Sequence, residues 1–347
     1  MKYNPNMPSK YFDKADYEAL MASQSPSALK ATSKTHFDSE KDASVFFARE
    51  LDYIKSQSYD VEYPELTAMS LFPVTSEVDP GAETFTYYSY DKTGLAKIIS
   101  NYSTDLPRVD VKGKPNTAII KSIGDSYGYS IQEMRASRMT GKSLDVRKAE
   151  TARYQIDALN NRIAWAGDEE TGLIGILSPN NDIPLYTLPA GSAGGTDWKS
   201  KTPEEIMADI NGMQAYTAKL TKSVERPDTL AVASDAFIDI STRHIPGTGF
   251  TVKEFILKSA PYLKEIVEAP ELNANSTETN PYAAEIDGKA VALLYTKSER
   301  KICIENPLPF YQYPSQPKGL EIVVPCEART AGVVIYYPFS ALIAIGV

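Results

Sequence analysis

The sequence predicts an α+β fold: an N-terminal arm, a long extended loop, one long helix, a compact mixed lobe, then a late return to strands. Three observations carry this. Thr84–Tyr90 reads TFTYYSY, the β-branched and aromatic texture of a strand. Ala149, Ala152, Ile156, Leu159 and Ile163 recur at three- and four-residue spacing, which marks a helix. The chain closes GLEIVVPCEARTAGVVIYYPFSALIAIGV, in which two β-rich runs, Leu320–Pro325 and Val333–Tyr337, flank an Arg-Thr-Ala-Gly turn.

Residues 1–36 hold scattered Ser, Ala, Lys, Pro and aromatics with no sustained period, as expected of an arm. Over Ser39–Ser58, Phe47, Leu51, Ile54 and Ser58 share one helical face, with Ser39 placed to cap. Pro64, Pro73 and Pro80 make 61–80 extended chain with turns. After Thr84–Tyr90, turn residues crowd Asp91–Gly94 and Leu106–Asn116, and Thr117–Ile123 is again strand-like. The span 81–123 has too few apolar residues on one face to form its own core, so it needs a surface outside its own subunit.

Ile131–Met139 supplies a helical turn or two, broken at Gly141. The long helix is expected over Leu144–Ala166 and is terminated by Gly167. Gly172–Leu177 is a short apolar strand or loop, and Asn180–Gly195 is rich in turn residues. Thr202-Pro203-Glu204-Glu205 combines a capping Thr, a Pro at the first helical position and a Glu in the capping box. The helix face that follows is Ile206, Ile210, Met213, Thr217 and Leu220. Thr229–Ala233 is a buried strand, Ser234 caps a short helix through Ile240, Val252–Leu257 is helical, and Tyr262–Val267 and Lys289–Tyr295 are strands. This alternation makes 200–300 a compact α/β lobe.

Charge and cysteine content exclude several function classes. The 347-residue chain carries a net charge of -9, and no basic run exceeds two residues, so it is a poor general binder of nucleic acid. A surface built from it is neutral to acidic overall. Cys303 and Cys326 are too few for a disulfide scaffold and lie in apolar β-like context, as buried thiols do. The N-terminus has no apolar signal core, and the closing apolar run falls short of the ~18–20 residues of a spanning helix. A soluble protein made inside the cell is expected, with the sequons at Asn101 and Asn275 as chance matches.

Catalytic patterns are weak. Ala136–Ser143 (ASRMTGKS) fits a relaxed phosphate-loop pattern, but what precedes it reads as helix and it has one Gly. His36 and His244 have no metal-ligand spacing, and no nucleophile signature surrounds either Cys. Asp168-Glu169-Glu170 reads as a solvated loop and Gly191–Gly195 as a flexible one. No cofactor or metal is implied. Ten of the 22 tyrosines gather around the extended loop (Tyr87, Tyr88, Tyr90, Tyr102, Tyr127 and Tyr129) and near the end (Tyr311, Tyr313, Tyr336 and Tyr337), where a large ring with one polar tip suits a partly wet protein interface.

This order of parts over roughly 40–347, with the ending Arg329-Thr-Ala-Gly-Val-Val-Ile-Tyr-Tyr-Pro, resembles the tailed-phage major capsid proteins of the Hong Kong 97 type. The likeness is greatest to a branch catalogued among prophages as a domain of unknown function. The resemblance implies an arm (1–60), an extended loop (81–123), and a peripheral domain (61–80, 124–175 and 301–330) with its spine helix at 144–166. It also implies an axial domain (176–300 and 331–347).

A non-enzymatic, self-associating shell subunit in pentamers and hexamers follows from the resemblance, enclosing double-stranded DNA without sequence-specific contacts and found in the virion. The resemblance also implies a separate scaffolding protein, a portal and possible decoration proteins as partners, no membrane, and synthesis in the bacterial cytoplasm. The expected interface residues of the extended loop are Tyr87, Tyr88, Tyr90, Lys97, Tyr102, Arg108 and Lys112. Lys97, Lys112 and Lys114 are available for the subunit crosslink of the family's type member, but no motif selects one. The alternatives are an encapsulin-like compartment shell, which shares the fold, and a nucleotide-binding enzyme using Gly141-Lys142-Ser143.

Overall fold

The computed structural model describes residues 64–93, 98, 108–140, 147–282 and 290–347. The arm, the expected helix at 39–58, His36 and Gly141-Lys142-Ser143 lie outside the described residues. The elements below all lie in one compact unit, Glu65–Val347.

In chain order, helix α1 (Ala68–Leu71) leads to strand β1 (Val74–Thr75) and a hairpin of β2 (Thr84–Thr93) and β3 (Asp110–Ile119). Strand β4 (Lys121–Ser130), helix α2 (Ile131–Thr140) and the long helix α3 (Arg147–Ala166) follow. Then come β5 (Leu185–Thr187), α4 (Pro203–Leu220), β6 (Thr229–Val232), α5 (Ser234–Thr242), α6 (Val252–Ser259), β7 (Glu265–Glu268) and β8 (Val291–Tyr295). The chain closes with β9 (Ile302–Glu305), β10 (Leu308–Gln312), β11 (Gln316–Lys318), β12 (Glu321–Thr330), β13 (Val333–Ile335) and β14 (Ala341–Ile345).

The largest sheet runs β5-β14-β8-β6-β7. Its central strands are buried on both faces, and their side chains alternate between two cores. Val291, Leu293, Tyr295, Ala341, Ile343 and Ile345 join Trp165, Phe72 and Ile176 on one side. Leu230, Val232, Ala292, Leu294, Leu342 and Ala344 meet Ile206, Ile210, Met213 and Ile256 of the helices on the other. A strand buried on both faces reads as a continuous apolar run, which is the texture of the closing segment. Among the described residues no helix is long and apolar enough to cross a membrane.

The second large sheet places β12 between β4 on one side and β10 and β11 on the other. β4 and β12 pair antiparallel over ten residues, Lys121↔Thr330 to Ser130↔Glu321. Ile123, Cys326 and Ala328 from this sheet pack on Ala152, Ile156 and Ile163 of α3. A small sheet, β1-β9-β13, joins the two bodies.

Local signals explain several boundaries. Thr202 and Glu205 form the expected capping box at α4, with Pro203 at its first position. Helix α3 stops at Gly167, whose φ of 78° suits a residue with no side chain. A Cβ on Gly175 would stand 2.2 Å from Gly167 N, so the chain after the helix folds back against its end. Both cysteines are free and buried, as expected.

Other boundaries differ from expectation, each for a physical reason. Residues 110–116 are strand rather than turn, because β3 pairs with β2 from Asp110 to Ile119. The expected strand Thr117–Ile123 is split at Ile120 between the hairpin and β4. At the end, Arg329 and Thr330 belong to β12, and the turn is Ala331-Gly332. Pro325 sits inside β12 with its carbonyl accepting from Tyr313 N (2.9 Å), so its missing N–H faces the gap between β10 and β11. Ser234 is the first helical residue of α5 and makes no side-chain cap; its N–H donates to Asn273 Oδ1 at 2.8 Å. Leu220 ends α4 exposed, and Leu185–Thr187 forms a strand inside the expected turn-rich stretch.

Candidate assembly surface

The hairpin β2–β3 has no buried residue among its described side chains. It is held by its backbone ladder and by polar ties between strands, such as Thr86 to Thr117 at 3.0 Å and Asn116 Nδ2 to Ser89 Oγ at 3.1 Å. A two-stranded ribbon of this kind is marginal in water unless something covers a face.

Its two faces differ because side chains alternate along a strand. Tyr87, on one face, turns to the body of its own chain. Its ring meets Tyr336 edge-on at 4.8 Å, and its hydroxyl donates to Ile335 O at 3.4 Å. Burial, then the nearby Cys303 thiol, raises the Tyr87 pKa, so the phenol stays protonated. Burial likewise raises Tyr336 and Cys303, and Cys303 Sγ lies 3.8 Å from the Tyr336 hydroxyl. A cleft of about 350 Å³ opens beside this contact, between Lys114 and Asn116 of the hairpin and Asn180–Asp182 of the body.

Tyr88 and Tyr90 occupy the opposite face. Their rings stack at 6.4 Å and are 62% and 69% exposed, the inverse of the usual place for large aromatic surface. Gly113 is the register partner of Tyr90, and a Cβ there would press on the Tyr90 ring at 3.0 Å. The glycine lets the ring lie across the ribbon. Arg108 and Lys112 are exposed toward the free end, beside Val109 and Val111 at 72% and 55% exposure. Lys97 and Tyr102 lie outside the described residues. Among the described candidates, Tyr88, Tyr90, Arg108 and Lys112 therefore share the outward part of the hairpin, and Tyr87 sits at its root.

Sequence reasoning missed the residues that seat this root. Arg329 Nη1 donates to Pro80 O, tying the chain just before the ribbon to β12, and Ile120 N donates to Glu83 O at 2.8 Å, closing the root between the two strands. The partners are far apart in sequence, so no local pattern marks them. The other chemical candidates stay apart. His244 is exposed in a loop of the mixed lobe, whereas both thiols are buried in other sheets. Ala136–Thr140 of the phosphate-loop pattern is helical.

Comparisons with known proteins agree on one family. The family model described as Major capsid protein matches residues 94–347. Among solved structures, "The capsid of Myoviridae Phage XM1" superposes with a TM-score of 0.71 at 13% identity, covering 87% of this chain and 99% of that one. A structure of Mycobacterium phage Bobi gives a TM-score of 0.56 at 14% identity, covering 88% and 97%. The capsid of a native GTA particle gives 0.56 at 9% identity, covering 86% and 96%. At these identities the structures speak for the fold, which is the Hong Kong 97-type capsid fold. No curated protein sequence matches the chain. The family model spans well over half of the sequence, and the chain belongs to the major capsid protein family of phage head shells.

Proposed function

We propose that this subunit assembles into pentamers and hexamers of an icosahedral head by laying the β2–β3 hairpin on a neighbouring subunit. One observation carries the reading: a ribbon of two ten-residue strands, with no buried side chain among those described, holds two stacked tyrosines, Arg108 and Lys112 exposed. Head-to-tail contacts of this kind close into rings. Tyr88, Tyr90, Arg108 and Lys112 are assigned to the neighbour, together with Lys97 and Tyr102, and Tyr87 to the root. The sheet β5-β14-β8-β6-β7 with α4–α6 is assigned as the axial domain, and the β4-β12 sheet with α3 as the peripheral domain. The shell encloses double-stranded DNA, is made in the bacterial cytoplasm, and uses a separate scaffolding protein, a portal and possible decoration proteins. The family match supports a phage head over an encapsulin-like compartment or a nucleotide-binding enzyme.

Thr84 and Ile119 are register partners, so residues 85–118 can be replaced by a two-residue turn without touching buried Ile120. The expected product is a folded subunit that forms no shells when co-expressed with its scaffold, judged by electron microscopy and light scattering. Shells of normal size from that deletion would sink the proposal.

A further inference from the structure

The net charge of -9 hides an uneven distribution. Five of the eleven arginines, Arg135, Arg138, Arg147, Arg153 and Arg162, fall on α2 and α3, together with Lys148. Only Glu133, Glu150 and Asp157 oppose them on those helices. Two of the pairs are internal: Arg153 to Asp157 at 3.6 Å, and Lys148 to Glu133 at 3.4 Å. Arg135, Arg138 and Arg162 are exposed and have no ion pair among the described residues.

The placement is ordered. Helix α3 rests one face, Ala152, Ile156 and Ile163, on the β4-β12 sheet. Arg147, Thr151, Gln155 and Arg162 follow one another along the other side, all exposed. Arg147 and Arg162 are about 22 Å apart along that axis. Arg135 and Arg138 share a face of α2, a helix with no buried residue. The outer face of the sheet, by contrast, is nearly balanced: Glu321 and Glu327 stand beside Lys318 and Arg329. Screening beyond about 10 Å at ordinary salt lets such a face act independently of acidic surface elsewhere.

We propose that the exposed arginines of α2 and those on the solvent side of α3 bind the phosphate backbone of duplex DNA, without reading its sequence. Guanidinium groups suit phosphate because they offer planar, paired donors. The occupant is the packaged genome, which rests on the head-shell reading above. The surface that lines the genome is therefore locally basic, although composition describes a neutral-to-acidic wall.

The test uses the full-length unassembled subunit and a fluorescent 30-base-pair duplex, with anisotropy recorded across salt concentrations. The wild type should bind with a log–log salt slope of about −3, one phosphate for each unpaired arginine. Arg135→Gln/Arg138→Gln/Arg162→Gln should lose at least about tenfold in affinity at 50 mM salt and most of the slope. Lys199→Gln/Lys219→Gln/Arg300→Gln, which removes as many exposed charges elsewhere, should retain both. An equal loss in this control, or no salt-dependent binding by the wild type, overturns the proposal. Poly-glutamate bound as tightly as DNA, and lost in the same triple variant, overturns it in favour of an acidic protein partner. Shell formation is scored in the same preparations. Intact shells without DNA binding defeat this inference alone, whereas DNA binding by a subunit that never forms shells defeats the assembly reading alone.

Discussion

Asn161 on the long helix donates its side-chain amide to Glu271 Oε1 at 2.8 Å, and both residues are buried. The same carboxylate accepts from Thr67 N at 3.1 Å and from the Thr67 hydroxyl at 2.6 Å, while Asn161 Oδ1 accepts from Ala68 N at 2.9 Å. One buried polar knot thus ties the start of the described chain to α3 and to the turn after β7. Glu271→Ala strands three buried donors and should lower stability by about 2–4 kcal/mol. Asn161→Ala should cost a similar amount, and the double variant less than the sum, because the residues share partners. Urea denaturation of the unassembled subunit measures all three. Additive losses would mean that the pair does not act as a unit.

Gly332 makes the turn between β12 and β13 at a φ of 70°, and a Cβ there would stand 2.6 Å from Ile174 O. Backbone strain and collision act together. Gly332→Ala should cost more than about 1 kcal/mol and reduce the soluble yield. Gly319, also at positive φ but with nothing within 4 Å of its Cβ position, is the control. Gly319→Ala should cost less than Gly332→Ala in the same denaturation assay.

These residues also show what the sequence could and could not reveal. Strands buried on both faces, Val291–Tyr295 and Ala341–Ile345, are legible because burial writes itself as unbroken apolar runs. The α4 start is legible because capping is local. Thr251 and Glu254 form an equally clear capping box, and that pattern was there to be read. Strand β4 is not legible beyond Ile123, where the expected strand stops. Ser122, Gly124, Ser126, Gly128 and Ser130 alternate along it, so half of its positions carry no β-forming side chain. It is a strand because β12, some two hundred residues later, pairs with all of it. The assembly surface divides the same way. The exposure of Tyr88 and Tyr90 follows from alternation in a segment without a core, whereas the packing of Tyr87 on Tyr336 is a tertiary fact.

The α4 cap should give the subunit a pH-dependent component of stability. Backbone N–H bonds from Thr202 and Ser192, at 2.8 Å and 2.7 Å, hold the Glu205 carboxyl below its ordinary pKa. A carboxylate depressed on folding stabilises fully above its unfolded pKa, and that contribution is lost as pH falls through the folded value. The window therefore opens near pH 4.5 and extends downward. Glu205→Gln should lower stability at pH 7 and flatten the loss below that pH, so that variant and wild type converge in acid. Thr202→Ala, which removes the other half of the box, should cost about 1 kcal/mol at neutral pH. Denaturation curves from pH 3 to 7 distinguish the two. An unchanged acid slope in Glu205→Gln would assign the dependence to other carboxylates.

Tyr87 separates anchoring of the hairpin from its contact with a neighbour. Its hydroxyl bond, at 3.4 Å, is long, whereas its ring packs edge-on against Tyr336. Such ring pairs contribute about 0.5–1.5 kcal/mol beyond area burial. Tyr87→Phe keeps the ring contact and should behave as wild type. Tyr87→Ala removes it and should raise hydrogen exchange across 84–91 and 110–119 in the unassembled subunit, by up to about tenfold for a loss near 1.4 kcal/mol. Tyr88→Ala and Tyr90→Ala, which empty the outward face, should leave that exchange nearly unchanged and instead slow shell formation. Faster exchange in Tyr88→Ala equal to that in Tyr87→Ala would mean that the outward tyrosines stabilise the ribbon itself. In that case the neighbour-facing assignment of Tyr88 fails, and with it the division of labour between the two faces of the hairpin.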